Sequence, residues 1–347
     1  MNKITDYIRV KRIICEVIEK LRLDLRGMTV LTELASGHFV VTPMIAALAG
    51  AKKVYVVAKN SRYGSVDELT DYLSEACTAL GTGDCIELTD DPFEIAGQVQ
   101  IVTNLGFVRP ITRPLLELLP YDAAVPLMFE AWEKRESDID FSAADQLNIP
   151  VLGTNERASD LQIFKYVGVL AEKLLLEVGI EVFRSRIIVM SSGHFLDEIS
   201  NRLALSGADV TRYNPHIEFM TPCKRSQFSQ ADAIVIAEQT SKELLVDYDS
   251  RHIDAETLGA ISAKIIHISG LLNYELMERC KIEKHPKGSV DYGYMTVTTD
   301  YVGVRPVIEL HCGGLKVGQA IVDGKRAKLK GNRLLEYAVN NSPAMPL

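Results

Sequence analysis

The sequence predicts an α/β protein of two Rossmann-like, doubly wound lobes with a cleft between them. Three observations predict it. First, an apolar strand run (Ile187 to Met190), a small-residue turn (Ser191-Ser192-Gly193) and a helix pattern (Leu196, Ile199, Leu203, Leu205) follow one another. Second, the same succession occurs at 29–50, and both copies contain Ser-Gly-His-Phe, at 36–39 and 192–195. Third, each copy runs through Gly-Ala, at 50–51 and 207–208, into a further strand. Strand, tight turn and helix in that order open a nucleotide-binding half-sheet. Small residues there let backbone N–H groups at the positive end of a helix approach a phosphate. Two copies about one domain length apart predict two similar lobes.

Composition bounds the rest. A chain of 347 residues forms two domains of ordinary size, and 47% hydrophobic with 24% charged residues is globular. A net charge of −8 without a basic run excludes general nucleic-acid binding. No apolar run reaches the ~18 residues of a membrane helix, and the polar start is not a signal peptide. The cysteines at 15, 77, 85, 223, 280 and 312 lack C-x-x-C spacing. We expect reduced thiols, no metal site and a cytoplasmic protein.

In chain order, Ile8, Ile13, Ile14, Val17, Ile18 and Leu21 give a packing helix over 3–26 ended by Gly27. A strand at 29–34, a helix from Thr42-Pro43, a strand at 53–58, a helix at 65–80 and a short strand at Cys85–Leu88 follow. Strands at 99–104, 123–128 and 149–152 complete the first lobe. A helix from Asp160 to Val178, apolar almost all round, marks the lobe boundary and hints at a homodimer. In the second lobe, strands fall at 187–190, from Val210, at 231–237 and at 264–269. Residues 307–320 read as a strand entering a return segment. The expected organisation is therefore an N-terminal helix (1–27), a substrate-side lobe (28–158), a connecting helix (159–180), a dinucleotide-binding-type lobe (181–320) and a tail returning to the first lobe (321–347).

Pro150-Val-Leu-Gly-Thr-Asn before a long helix, Ala231-Asp-Ala-Ile-Val-Ile-Ala, Ala263-Lys-Ile-Ile-His-Ile-Ser-Gly-Leu-Leu and Val307-Ile-Glu-Leu-His-Cys-Gly-Gly-Leu resemble, in order and content, segments of the D-2-hydroxyacid dehydrogenase and S-adenosylhomocysteine hydrolase superfamily. The resemblance covers most of the chain in outline. It implies a dinucleotide, NAD or NADP, in the second lobe and a proton-transferring His311. The sequence departs from the G-x-G-x-x-G turn of that superfamily: Ser191 and Leu196 stand at two glycine positions, leaving Gly193. The second strand ends in Arg212-Tyr213-Asn214, with no acid for ribose hydroxyls. Arg212 there is a candidate for a 2′-phosphate. Glu33-Leu-Ala-Ser-Gly-His-Phe with Lys53-Val-Tyr-Val-Val-Ala, and Asn104-Leu-Gly-Phe, resemble class I methyltransferase motifs, which implies S-adenosylmethionine in the first lobe as an alternative.

The candidate cofactor residues are Ser191, Ser192, Gly193, His194, Phe195, Asn214 and Ser269. His311, His194 and His38 are the candidate catalytic residues, each an imidazole by a turn, able to pass a proton or to pack. Strand carboxyl ends face the ligand crevice of such folds. That singles out Glu33, Asn104, Glu130, Arg135, Asn155 and Glu156, with His38, as substrate contacts; Glu130 and Arg135 read equally as an ion-pair cluster. Trp132, the only tryptophan, is a packing or ring-stacking residue. The leading function is an NAD(P)-dependent oxidoreductase, or a hydrolase using bound NAD, acting on a small polar metabolite. The alternatives are a methyltransferase and a non-catalytic binding protein on a degenerate scaffold.

Overall fold

The computed structural model describes residues 3–347, and the side chain of Trp132 lies outside the described part. The chain forms two compact units, Met1–Ile163 with Gly303–Leu347, and Phe164–Val302.

In the first unit the strands Ile86–Leu88, Lys53–Val57, Thr29–Glu33 and Ile101–Val102 lie side by side in that order, all parallel. A parallel bridge from Ile101 to Ala124 leads to Val125–Pro126, which pairs in parallel with Val151–Thr154. Ala344–Met345 adds an antiparallel edge. The six parallel strands thus run third, second, first, fourth, fifth, sixth. The order reverses between Thr29–Glu33 and Ile101–Val102, and such a reversal is where α/β sheets bind ligands. The packing helix is shorter than its apolar stripe predicts. It runs Tyr7–Leu21, capped by the Asp6 side chain and stopped by a left-handed Arg22 at φ 50°.

The largest correction concerns 303–320. These residues belong to the first unit, and Val304–Arg326 is one 23-residue helix with no strand and no turn in it. Gly313, Gly314 and Gly318 obscure it in the sequence, because glycine weakens a helix pattern. Here glycine serves close packing. A Cβ on Gly314 would lie 2.5 Å from Met128 Sδ, one on Gly313 2.7 Å from Leu161 Cδ1, and one on Gly318 2.9 Å from Ile101 Cγ2. The helix can lie against the sheet only because those side chains are missing.

The second unit has five parallel strands in the order Lys284–His285, Lys264–Ser269, Ala233–Ala237, Arg186–Met190, Asp209–Tyr213. From the Asp209–Tyr213 edge this runs second, first, third, fourth, fifth, the other common doubly wound arrangement. Its strands alternate strictly. Ile187, Val189, Val235 and Ile268 enter one core with Phe195, Leu196, Ile199 and Leu203 of the helix Gly193–Leu205. Ile188, Met190, Ile234 and Ile236 enter a second core with Phe228, Leu258 and Leu276. Two buried faces explain why these strands read as continuous apolar runs. The helix predicted at 160–178 runs Lys165–Glu177 and packs Val167, Leu170, Ala171, Leu174 and Leu175 into the first of these cores.

Candidate functional site

Each unit has a point where its strand order reverses, and the two are built differently. In the first unit the turn after Thr29–Glu33 carries Gly37 at φ +62°. The polar groups around it bond to one another. Glu33 Oε2 accepts from Phe107 N at 3.0 Å, Thr103 Oγ1 donates to Thr32 Oγ1 at 2.9 Å, and Asn104 Oδ1 accepts from Met128 N at 2.8 Å. Glu33, Asn104, Thr32 and Thr103 are all buried. Burial raises the Glu33 carboxyl against the pull of the Phe107 and Gly106 N–H groups and Arg109.

A second group of carboxylates lies at the ends of the fifth and sixth strands. Glu130 is buried and accepts from Glu156 N at 3.0 Å, with Arg157 Nε 3.7 Å away. Burial pushes Glu133 up to about 7, with Arg135 opposing and Glu130 adding to it. Burial, Glu133 and Glu130 raise Glu156 well above its ordinary value. Arg135 sits 3.8 Å from Asp138, and Arg109 also binds that aspartate. Asn155 donates its backbone N–H to Pro343 O at 2.7 Å and accepts from Arg157 N at 3.0 Å.

In the second unit, the Arg186–Met190 strand leads into Ser191, whose buried hydroxyl donates to Ala237 O at 2.6 Å and ties the two switch-point strands together. Ser192 precedes the helix but makes no capping bond to it. Its Oγ turns to Glu238 Oε1 at 3.0 Å instead. Gly193 stands at φ +53°, where glycine is favoured, and a Cβ there would meet nothing within 4 Å. The helix N-terminus is therefore free of a side-chain cap, and the space over its glycine is open. Glu238 directly follows the third strand, and its side chain is 0% exposed. Oε1 takes the Thr240 N–H and hydroxyl, both at 2.7 Å, and the Ser241 N–H at 3.0 Å, while Oε2 has no partner among the described residues. Burial would raise this carboxyl. The hydrogen bonds from Thr240, Ser192 and Ser241 outweigh it and hold the group below the usual carboxylate range. The exposed His216 places Nε2 2.8 Å from Thr240 Oγ1 and 3.4 Å from Glu238 Oε1.

This arrangement fits a dinucleotide in part. Backbone N–H groups at an uncapped helix start suit a pyrophosphate, and the open glycine admits it. The Glu238 group suits donors and not phosphate.

The chain shares the fold of a dipicolinate synthase polypeptide known from two bacilli. The Bacillus halodurans protein aligns at a TM-score of 0.54 and 10% identity, over 86% of this chain and 98% of its own. The Bacillus subtilis protein aligns at 0.53 and 10% identity, over 88% and 99%. The expected α/β fold of Rossmann-like, doubly wound lobes is borne out, and these two proteins share it. No protein-family model matches the sequence, and no curated protein matches it.

The predicted site residues separate accordingly. Ser192, Gly193 and His194 line the open turn, His194 on its exposed side. Ser191 is buried in its bond to Ala237, and Phe195 packs edge-on against Phe164 with ring centroids 5.5 Å apart. Asn214 orders a turn, accepting from His216 N at 3.0 Å and donating its backbone N–H to Glu218 at 2.9 Å. Ser269 is buried with its hydroxyl unpartnered among the described residues. His38 is half-buried on the short helix Gly37–Val40. His311 is not at a turn of the second lobe. It lies inside the first unit's long helix, buried, with Nδ1 2.6 Å from Thr42 Oγ1, its ring near Phe39 and its pKa pulled down to about 4 by burial. A neutral imidazole in that setting is a packing partner.

Sequence reasoning missed Glu238, Thr240 and His216. The signal was present: Glu238 is the first residue after the third strand, on the crevice side of the order reversal. A cavity of about 820 Å³ lies in the first unit among Tyr121, Asn148, Ile149, Lys325 and Leu335. Tyr121, Asn148 and Ile149 lead into strands, so it sits away from the carboxyl ends. The methyltransferase alternative gains no support from the first unit, where Glu33 and Asn104 are occupied within the protein. No described helix is long and apolar enough to cross a membrane.

Proposed function

We propose that the second unit binds a dinucleotide, NAD(H), and that the protein is an oxidoreductase acting on a small polar metabolite. The observation that carries this is the open, uncapped glycine turn at the switch point of a parallel sheet, in a chain sharing its fold, over 86% of its length, with the Bacillus halodurans dipicolinate synthase polypeptide. The N–H groups of Gly193 to Phe195 would hold the pyrophosphate. Bound, the nicotinamide would supply hydride chemistry. His194, exposed on the first helical turn, is the predicted histidine best placed to exchange a proton with a ligand there. Within the first unit, Glu130, Glu133 and Glu156, with Arg135, are the polar groups we assign to a small polar ligand. Protonated carboxyls there would donate hydrogen bonds that ionised ones cannot.

Mass spectrometry of small molecules released on denaturation, followed by calorimetric titration with NADH and NADPH, tests the reading. A released or titrated dinucleotide is the expected result. Neither ligand binding would remove it, and the protein would then be read as a binding scaffold without a dinucleotide.

A further inference from the structure

We propose that the first unit's cavity, at the turn joining Val304–Arg326 to the helix Asn332–Asn341, binds a small carboxylate with an alkyl body. This is a second site, in the other unit from the Gly193 turn, and it does not depend on the dinucleotide reading.

Two left-handed residues build the turn. Lys328, at φ 62°, ends the long helix, and the next N–H, of Leu329, donates back to Gly324 O at 3.0 Å. Gly331, at φ 52°, opens the last helix. Gly324 lets the two helices meet, since a Cβ there would lie 2.5 Å from Leu334 Cδ1. The cavity's other residues follow the helix Phe141–Gln146 and lead into the strand Val151–Thr154. Its volume, about 820 Å³, is that of a small-molecule site. The walls are apolar: Leu147, Ile149 and Leu152 before and in the strand, Leu329, Leu334 and Leu335 in the turn and its helix. Tyr121 lines it too and is 75% exposed. The fold leaves this apolar surface uncovered.

The charges around it say what covers it. Lys325, Lys328 and Lys330 line the cavity with one acid, Asp145. The chain as a whole has the opposite balance, 38 Lys and Arg against 46 Asp and Glu. Asp122, the carboxylate that acts on Lys325, is buried and accepts from Arg326 Nε at 2.9 Å. Lys325 is half-buried, and its Nζ donates to Asn148 O at 2.7 Å and to Ala123 O at 3.2 Å. An ammonium has three protons to donate, so one remains. Burial pulls this lysine down to about 8, with Asp122 opposing. A ligand carboxylate would take the third proton and supply the counter-charge that two carbonyls do not. An alkyl body would cover the leucines. An alkylammonium of the same length would cover them equally and meet three like charges.

The test is calorimetric titration of the full chain with octanoate, decanoate and decylamine. Methyl NMR of the isotope-labelled chain follows Leu147, Leu152, Leu329 and Leu335. We expect decanoate to move these methyls and to bind about tenfold more tightly than octanoate, the scale of two buried CH₂ groups. It should bind at least about tenfold more tightly than decylamine, the scale of one charge contact near a protein surface. In the double variant Lys328→Glu with Lys330→Glu, its fold confirmed by circular dichroism, decanoate should weaken at least about tenfold and decylamine should not. Decylamine as tight as decanoate, a double variant that binds decanoate as the parent does, or methyls that do not move overturns the site.

Discussion

The switch-point carboxylate of the first unit, Glu33, accepts from a backbone N–H, while that of the second, Glu238, keeps one oxygen without a partner among the described residues; neither turn serine caps its helix. Both follow the same strand, Ser-Gly-His-Phe turn and helix, so the difference lies in what the surrounding side chains do. Around Gly37, the Glu33 carboxylate takes Phe107 N and Asn104 takes Met128 N. Around Gly193, Ser192 leaves the helix uncapped to serve Glu238, which keeps one oxygen unpartnered. The carboxyls diverge in the same way. Burial wins at Glu33, Glu133 and Glu156, which go up; hydrogen bonds win at Glu238, which goes down. Buried groups that pair internally build structure, and a buried carboxylate oxygen left without a partner at a switch point singles out Glu238 for test.

The largest expected effect breaks the comparison at the first unit's carboxylates. Glu133 holds its proton to about pH 7 in the folded chain, against 4.5 as the reference value. Its folded value is raised, so its contribution is fully present below the reference value and is lost as pH rises through 7. Between pH 5 and 8 this costs up to about 3 kcal/mol. Glu133→Gln should gain on the parent across that window in chemical denaturation and level off above it; a constant difference would contradict the assignment. Glu238 should behave oppositely. Its folded value is depressed, so the stability it gives is present above the reference value and lost as pH falls. Glu238→Gln should therefore fall behind the parent most clearly at neutral pH and converge with it in acid.

Next in size is Asn104→Ala, which strands the buried Met128 N–H. We expect a loss of about 1–3 kcal/mol in unfolding free energy with NADH affinity unchanged; a variant that kept its stability and lost NADH would move the site to the first unit. The smallest effect is Ser269→Ala. Its hydroxyl is buried and unpartnered among the described residues, so removal should leave stability within about 0.5 kcal/mol or raise it. A large loss would reveal a hidden partner.

The sequence shows the fold plainly wherever apolar periodicity does the work. The strands at 186–190 and 233–237 and the helix at 165–177 follow from their apolar runs. The long helix at 304–326 is hidden because its glycines are there for close approach to Leu161, Met128 and Ile101, contacts that no local pattern records. His311 is misplaced for the same reason. In the site, Gly193 is legible because a strand-to-helix turn calls for a small residue. Glu238 and His216 are not, because their meaning depends on which strands are neighbours. Residues 192, 216 and 238 are brought together only by the order in which the strands pair.

The central claim is that the ligand site lies at the second unit's turn and not at the first's. Gly193→Val and Gly37→Val put it to the most direct test, with NADH titrated calorimetrically into each. Both glycines have left-handed backbones, so each variant is expected to lose about 1 kcal/mol or more of stability. The account predicts that Gly193→Val weakens NADH binding at least about a hundredfold, through lost approach to the helix N–H groups, while Gly37→Val binds as the parent does. An unchanged dissociation constant in Gly193→Val, or a loss confined to Gly37→Val, would contradict it.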